Sequence, residues 1–300
     1  VTPATAAAPF TEVADRVWVS RRAWWDVNVT VVAGERGLVV IDTHASVAAG
    51  RALVDDVRDL ARATGTGDVV AVVATHAHFD HVLGTPALRD AWGADLPVHA
   101  HEGCVEELRA WASDPGPAPE AASPQGWTTT QADVDALVLP DHAFSAAGFV
   151  DLGDRLVELL HPGRGHTGGD LVAVVADADV VVAGDLVEES GPPALGADSH
   201  PLEWPLTLDV VLPLLGRGTV VVPGHGLPVG RDFVEEQRAQ LGILAETVRD
   251  LAGRGVSVED AVRHEGWAGS ELPWAPEDLG DAIRRIYEQL PRSQKRLPLL

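Results

Sequence analysis

The chain has 300 residues, 46% of them hydrophobic, enough for one large α/β domain with a sizeable core, or for such a domain with an appendage. Its formal net charge of −23 sets it against phosphate backbones and anionic lipid, so neither nucleic acid nor a membrane is expected as a partner. No apolar run is long enough to span a bilayer, the first ten residues do not resemble a secretory signal, and the lone Cys104 excludes an intrachain disulfide or a multi-cysteine metal site, so a cytoplasmic protein is expected.

Trp24-Trp25 sit in a loop ahead of two β-rich runs, residues 27–33 and 38–43, which Gly34-Glu35-Arg36-Gly37 joins as a predicted hairpin. Residues 45–63 carry Val47, Leu53, Val54, Val57, Leu60 and Ala61 at helical spacing. A strand over 69–75 follows, running into Thr75-His76-Ala77-His78-Phe79-Asp80-His81, and a helix is predicted over 80–92 with Asp80 as its N-cap. A short strand at 97–100 and a helix at 102–112 come next, the latter with Cys104 as a small, partly buried side chain. Residues 113–127 hold four prolines and two glycines, which forbid a regular element.

The second half repeats the plan, with strands at 149–152, 155–161, 171–176 and 179–183, a helix at 205–215 and a last strand at 219–222. Beyond Arg231 the spacing of Phe233, Leu241, Leu244, Val248 and Leu251, and of Leu279, Ile283, Ile286 and Leu290, predicts helices. Two strand-rich halves with interspersed helices predict two sheets packed face to face and helices outside.

Four side chains able to bind a metal fall within residues 76–81, directly after a β-branched run. Imidazole suits zinc and iron, and carboxylate completes such sites. Three further apolar runs end in the same residue types: His161-Pro162-Gly163-Arg164-Gly165-His166-Thr167-Gly168-Gly169-Asp170, Gly184-Asp185 and Gly224-His225-Gly226. In each, glycine lets the backbone turn sharply beside a candidate ligand. His99 and His101 imitate a ligand pair, but no partner segment follows them; Asp170 is expected to serve local hydrogen bonding.

In this order the segments resemble the metallo-beta-lactamase superfamily, whose pattern is His-X-His-X-Asp-His, then His, Asp and His at successive strand ends. The resemblance runs from about residue 10 to about residue 230. It implies a four-layer αββα sandwich of two mixed sheets flanked by helices, with a catalytic domain over 10–230 and a helical accessory region over 231–300 as a C-terminal extension. It implies two divalent ions, zinc first and iron or manganese as alternatives. His76, His78 and His166 would hold one ion, Asp80, His81 and His225 the second, and Asp185 would bridge them. Residues i and i+2 of an extended chain face one side, which lets His76 and His78 grip one ion.

A hydroxide shared by the two ions would attack the carbonyl of an ester, thioester, lactone or amide, with Asp80 as the catalytic residue that orients it. Asp42 would orient a ligand histidine through its other ring nitrogen. Trp24, Trp25, His161 and His200 are the candidate substrate-pocket residues, and a homodimer is an open possibility.

Departures from family patterns narrow the substrate. Asp185 stands where some β-lactamases carry a Cys. Leu186-Val187-Glu188-Glu189-Ser190 lack the Tyr that lactonases carry after the bridging Asp, and the only Tyr is Tyr287. Ala77 stands where flavodiiron members carry Glu. Glutathione-thioester hydrolases are similar in length and in their helices after the final His. The alternative of a different class is a mononuclear iron oxidoreductase similar to persulfide dioxygenases, which uses only a His-His-Asp set.

Overall fold

The computed structural model describes residues 10–114, 122–123, 125–269 and 272–290. Part of the Pro-rich stretch expected as a loop over 113–127, and the last ten residues of the expected helical region, lie outside the described residues.

One mixed sheet has seven strands in chain order: Thr11–Ala14 (β1), Val17–Arg21 (β2), Asn28–Gly34 (β3), Gly37–Ile41 (β4), Val69–Val73 (β5), Val98–His101 (β6) and His142–Phe144 (β7). Pairing is antiparallel from β1 to β4 and parallel from β4 to β7. The second sheet runs Val220–His225 (β12), Val180–Glu188 (β11), Val172–Val175 (β10), Leu156–Leu160 (β9) and Ala147–Asp151 (β8). Here only β11 and β12 are parallel.

Alternation along the strands explains the layers. Val32, Val39, Ile41 and Val73 point inward and meet Val157, Leu159, Ala173, Val182 and Val222 of the other sheet in one buried cluster. Their neighbours Val31, Val40 and Val72 point outward, onto Leu53, Val54 and Val57 of α1 (Val47–Thr64) and Ala87 and Leu88 of α3 (Thr85–Trp92). Helix α1 begins where the Ser46 side chain accepts from Ala49 N at 3.1 Å and ends at left-handed Gly65.

On the far side, Val172, Val174, Val181 and Val221 pack against Trp204 and Leu208 of α6 (Trp204–Val211), Leu241 and Leu244 of α7 (Arg231–Gly253), and Ile283 and Ile286 of α9 (Pro276–Gln289). The order is therefore helix, sheet, sheet, helix, as expected, and the helices after Arg231 share a core with the second sheet. Shorter helices α4 (Glu102–Ser113), α5 (Gln131–Asp135) and α8 (Val258–Val262) complete the chain. Among the described residues, no helix is long and apolar enough to cross a membrane.

The helix predicted over 80–92 is two helices, α2 (Phe79–Val82) and α3, and His78 rather than Asp80 occupies the N-cap position. The break lies at Gly84, where an added Cβ would stand 1.7 Å from the Thr43 carbonyl oxygen. Thr43 N donates to the His81 carbonyl at 2.8 Å and Gly84 N to the His44 carbonyl at 2.9 Å, so the end of β4 takes over hydrogen bonds a continuous helix would keep.

Candidate metal centre

All four ligand-bearing segments end at one edge of the sandwich. β5 delivers His76 and His78, and the single turn of α2 points Asp80 and His81 the same way. The turn at 165–170 carries His166. Asp170 fixes it by accepting from Gly165 N at 3.1 Å, Thr167 N at 3.0 Å and Thr167 Oγ1 at 2.7 Å, the local role expected of it. β11 supplies Asp185 and the end of β12 supplies His225. Gly224 is required here, since a Cβ on it would stand 1.7 Å from Asp185 Oδ1.

The seven predicted residues form two donor sets. His76, His78, His166 and Asp185 each place one ligand atom within 4.8 Å of the others, and so do Asp80, His81 and His225. In the first set, His166 Nε2 lies 2.8 Å from His78 Nδ1 and 3.3 Å from Asp185 Oδ2, and His76 Nε2 lies 3.7 Å from that same oxygen. In the second, His81 Nε2 is 3.4 Å from His225 Nε2 and 3.7 Å from Asp80 Oδ2, and His225 Nε2 is 3.5 Å from Asp80 Oδ2. Asp185 reaches both sets, at 3.2 Å from His81 Nε2 and 3.2 Å from His225 Nε2.

These spacings fit a cation. Tetrahedral ligands 2.0–2.1 Å from zinc stand about 3.3 Å apart. His76 Nε2 and Asp185 Oδ1 are buried with no hydrogen-bond partner, and buried polar atoms in that state are rare unless something else binds them. The set of three imidazoles with a carboxylate suits zinc or iron. Among the described residues, every group of three or more candidate ligands belongs to this centre.

The electrostatics favour positive charge on His81 and His225, and Asp198 raises His78 against the effect of burial. Burial opposes protonation of His81 and His225, yet the surrounding carboxylates, Asp185 foremost, raise His81 well above the usual imidazole value and His225 to about 10. In the first set burial keeps His76 well below that value and brings His166 down to about 4, so both rings are neutral at pH 7. Burial would lift Asp185, but His225, His81 and the other imidazoles hold it far below the carboxylate range.

Each ring is also fixed from behind. Asp42 Oδ2 accepts from His81 Nδ1 at 2.8 Å, the orienting contact expected of it, and Asp42 also accepts from Thr75 N and Thr75 Oγ1, both at 2.9 Å. Its backbone is left-handed, at φ 63°, and those bonds hold it there. Thr75 Oγ1 lies 3.0 Å from His76 Nδ1. His225 Nδ1 donates to the Trp25 carbonyl at 2.8 Å, and His166 Nδ1 to the Ala194 carbonyl at 3.2 Å.

Sequence reasoning missed Asp198, whose Oδ2 accepts from His78 Nε2 at 2.8 Å. Burial opposes its charge, but the His78 bond lowers Asp198 to about 2. Glu188 was also missed. It lies within 4.8 Å of Asp185 and His225, and burial pushes it up to about 8.

The expected pocket residues fare differently. Trp25 meets Phe79 edge to face at 5.0 Å beside the centre. Trp24 lies beneath it, 4% exposed, packed with Ala45 and Ala49. His200 sits by the 165–170 turn, its N–H donating to the Gly165 carbonyl at 2.7 Å. His161 stacks on His101 at 3.7 Å and donates to the Asp170 carbonyl at 2.6 Å, contacts that occupy it outside the two donor sets. Cys104 is fully buried, more so than expected, and burial pushes its thiol up, which suits an inert core residue.

Residues 22–225 match the family model of the metallo-beta-lactamase superfamily. The metallo-beta-lactamase type 2 of Bacillus cereus is 25% identical over 201 residues, 66% of this chain and 66% of that protein. The "Probable metallo-hydrolase YqgX" of Bacillus subtilis (strain 168) is 30% identical over 159 residues, 52% of this chain and 68% of its own. The chain thus spans about two thirds of the length of these curated relatives. Among solved structures, a metallo-beta-lactamase from Pontibacter korlensis superposes with TM-score 0.58 at 21% identity, over 78% of this chain and 98% of that one. The stereoselective inverting sec-alkylsulfatase Pisa1 from Pseudomonas sp. superposes with TM-score 0.71 at 20% identity, over 94% of this chain and 50% of that one.

Proposed function

The chain belongs to the metallo-beta-lactamase superfamily, and from that premise we propose that it is a hydrolase of a small-molecule ester, thioester, lactone or amide that works with two divalent ions, zinc first. The observation that carries this reading is Asp185, one buried carboxylate within 3.3 Å of nitrogens from both donor sets. His76, His78 and His166 would hold one ion and Asp80, His81 and His225 the other. Two such ions supply Lewis acidity and bring a water's pKa to about 7.

The chain's own residues do the rest. Asp80, 6% exposed, would orient the attacking water and take up its proton. Asp42 keeps the His81 ring in one tautomer, and Asp198 does so for His78. Trp25 and Phe79 form an apolar wall beside the centre, which limits water around the scissile group. The acidic surface favours neutral or cationic substrates over RNA.

Completeness of the second set, Asp80, His81 and His225, supports hydrolysis over mononuclear iron redox chemistry. Metal analysis tests this directly. About two zinc ions per chain, with turnover in a panel of ester, thioester, lactone and β-lactam, supports the proposal. One iron per chain, with oxygen consumed on a persulfide, refutes it.

A further inference from the structure

We propose that α9 and Trp274 hold residues 191–199 as a strap that orients two of the metal-binding histidines, so that cation affinity depends on the C-terminal helix. This rests on the metal-centre reading above. Residues 189–200 contain neither helix nor strand, and no sheet ladder fixes them. Yet this stretch makes the rear contacts of two rings. The Ala194 carbonyl takes His166 Nδ1 and Asp198 Oδ2 takes His78 Nε2, while the opposite nitrogens of those rings face each other at 2.8 Å in the first donor set. The aim of both imidazoles is therefore as fixed as the strap is.

The strap is held from two sides. Glu188 Oε2, at the end of β11, accepts from Ala194 N at 2.5 Å. From the C-terminal region, Trp274 Nε1 donates to the Pro193 carbonyl at 2.8 Å. Arg285 Nε and Gln289 Nε2, one helical turn apart on α9, donate to the Ser199 carbonyl at 2.9 and 2.7 Å. Ser199 is fully buried and Trp274 is 7% exposed. α9 is in turn anchored by Leu279, Ala282, Ile283 and Ile286 in the cluster that covers the second sheet. A continuous path of packed and hydrogen-bonded groups thus runs from the core through α9 to Ser199, Asp198 and His78. Groups behind a ligand histidine typically govern metal affinity by about 10–100-fold. Arg285, Gln289 and Trp274 are positioning residues, since they touch no ligand.

The test is zinc affinity of the full chain, measured by competition with a chromogenic chelator. The double variant Arg285→Met/Gln289→Leu is expected to weaken zinc binding by about tenfold, and to broaden the visible bands of the cobalt(II) form, which report ligand geometry. Asp198→Asn is expected to weaken it by a similar or larger factor, and adding the double variant to it should cost less than in the parent, since one strap contact is already gone. Arg238→Met, which cuts the ion pair between α7 and α6, is the control and should leave affinity within twofold. Should the double variant unfold, Trp274→Phe, which removes the indole N–H donor and part of the ring, tests the same path, with urea denaturation reading the packing loss separately. Affinity within twofold of the parent in both overturns the proposal, and so does full multiplication of the Asp198 and α9 effects. A parent chain that takes up no zinc would instead overturn the metal-centre reading itself.

Discussion

Asp42→Asn is the most diagnostic single change, because it keeps size and removes one acceptor. The carboxylate serves three donors: Oδ1 takes Thr75 N, and Oδ2 takes both Thr75 Oγ1 and His81 Nδ1. An amide oxygen replaces only one of those oxygens. If it takes the Oδ2 position, the new NH2 meets the Thr75 N–H donor; if it takes the Oδ1 position, two donors lose their acceptor. At least one buried hydrogen bond is lost, at about 1–3 kcal/mol. In a domain this large that lowers Tm by about 2–8 °C. Asn tolerates the left-handed backbone at φ 63°, so strain adds nothing. The second effect is on the cation, because His81 loses the group that fixes its ring. Zinc affinity should fall by about 10–100-fold. Calorimetry of the metal-free protein and chelator competition read the two effects separately. Unchanged Tm together with unchanged zinc affinity would refute the reasoning.

His78→Ala removes a donor from the first set, and should lower kcat/KM by more than the roughly 10–100-fold typical of losing a group behind a ligand, with the circular-dichroism spectrum preserved. Gly224→Ala forces a methyl toward Asp185 Oδ1; about 1–3 kcal/mol of stability should go, and metal analysis should show reduced occupancy. Arg22 and Asp56 form an ion pair with side chains 8% and 12% exposed. Asp56→Ala, which strands the arginine, should cost about 3–5 kcal/mol in urea denaturation, whereas Arg22→Met with Asp56→Leu should cost much less. Burial pushes His99 down to about 4, against about 6.5 in an unfolded chain. Between those pH values only the unfolded state binds that proton, so stability falls on acidification from pH 6.5 to 4. His99→Asn should flatten that part of the denaturation profile.

The convergence of the candidate ligands was legible because their chemistry is concentrated at strand ends. His76, His78, Asp80 and His81 announce themselves by spacing, and glycine marks the approach of the other three. The layered fold was legible for the same reason: Val39, Val40 and Ile41 alternate between two buried faces. The second strand was equally present in the pattern Val17-Trp18-Val19, but the turn joining β1 to β2 uses Arg16 at φ 55°, with no Gly or Pro to mark it. β7 has only three residues and little apolar signal. Asp198 was not legible, because its partner His78 lies 120 positions away and the segment around it has no periodicity. His161 was expected at the pocket, and its stack on His101 could not be read from the chain alone.

The two sheets are also stitched together across the length of the polypeptide. Val27 bridges His225, and Asn28 Nδ2 donates to the Pro223 and Gly226 carbonyls at 2.9 and 2.8 Å. His81 and His225 are separated by 144 positions. On a ribosome adding about 5–20 residues per second, the earlier partner waits about 7–30 s for the later one. During that interval β6 and β7 are added to the first sheet, and the strands whose Val157, Leu159, Ala173 and Val182 cover its inner face are made. Neither donor set can be complete before its later segments, at 166, 185 and 225, have been made, so the candidate metal centre forms together with the pairing of β11 and β12.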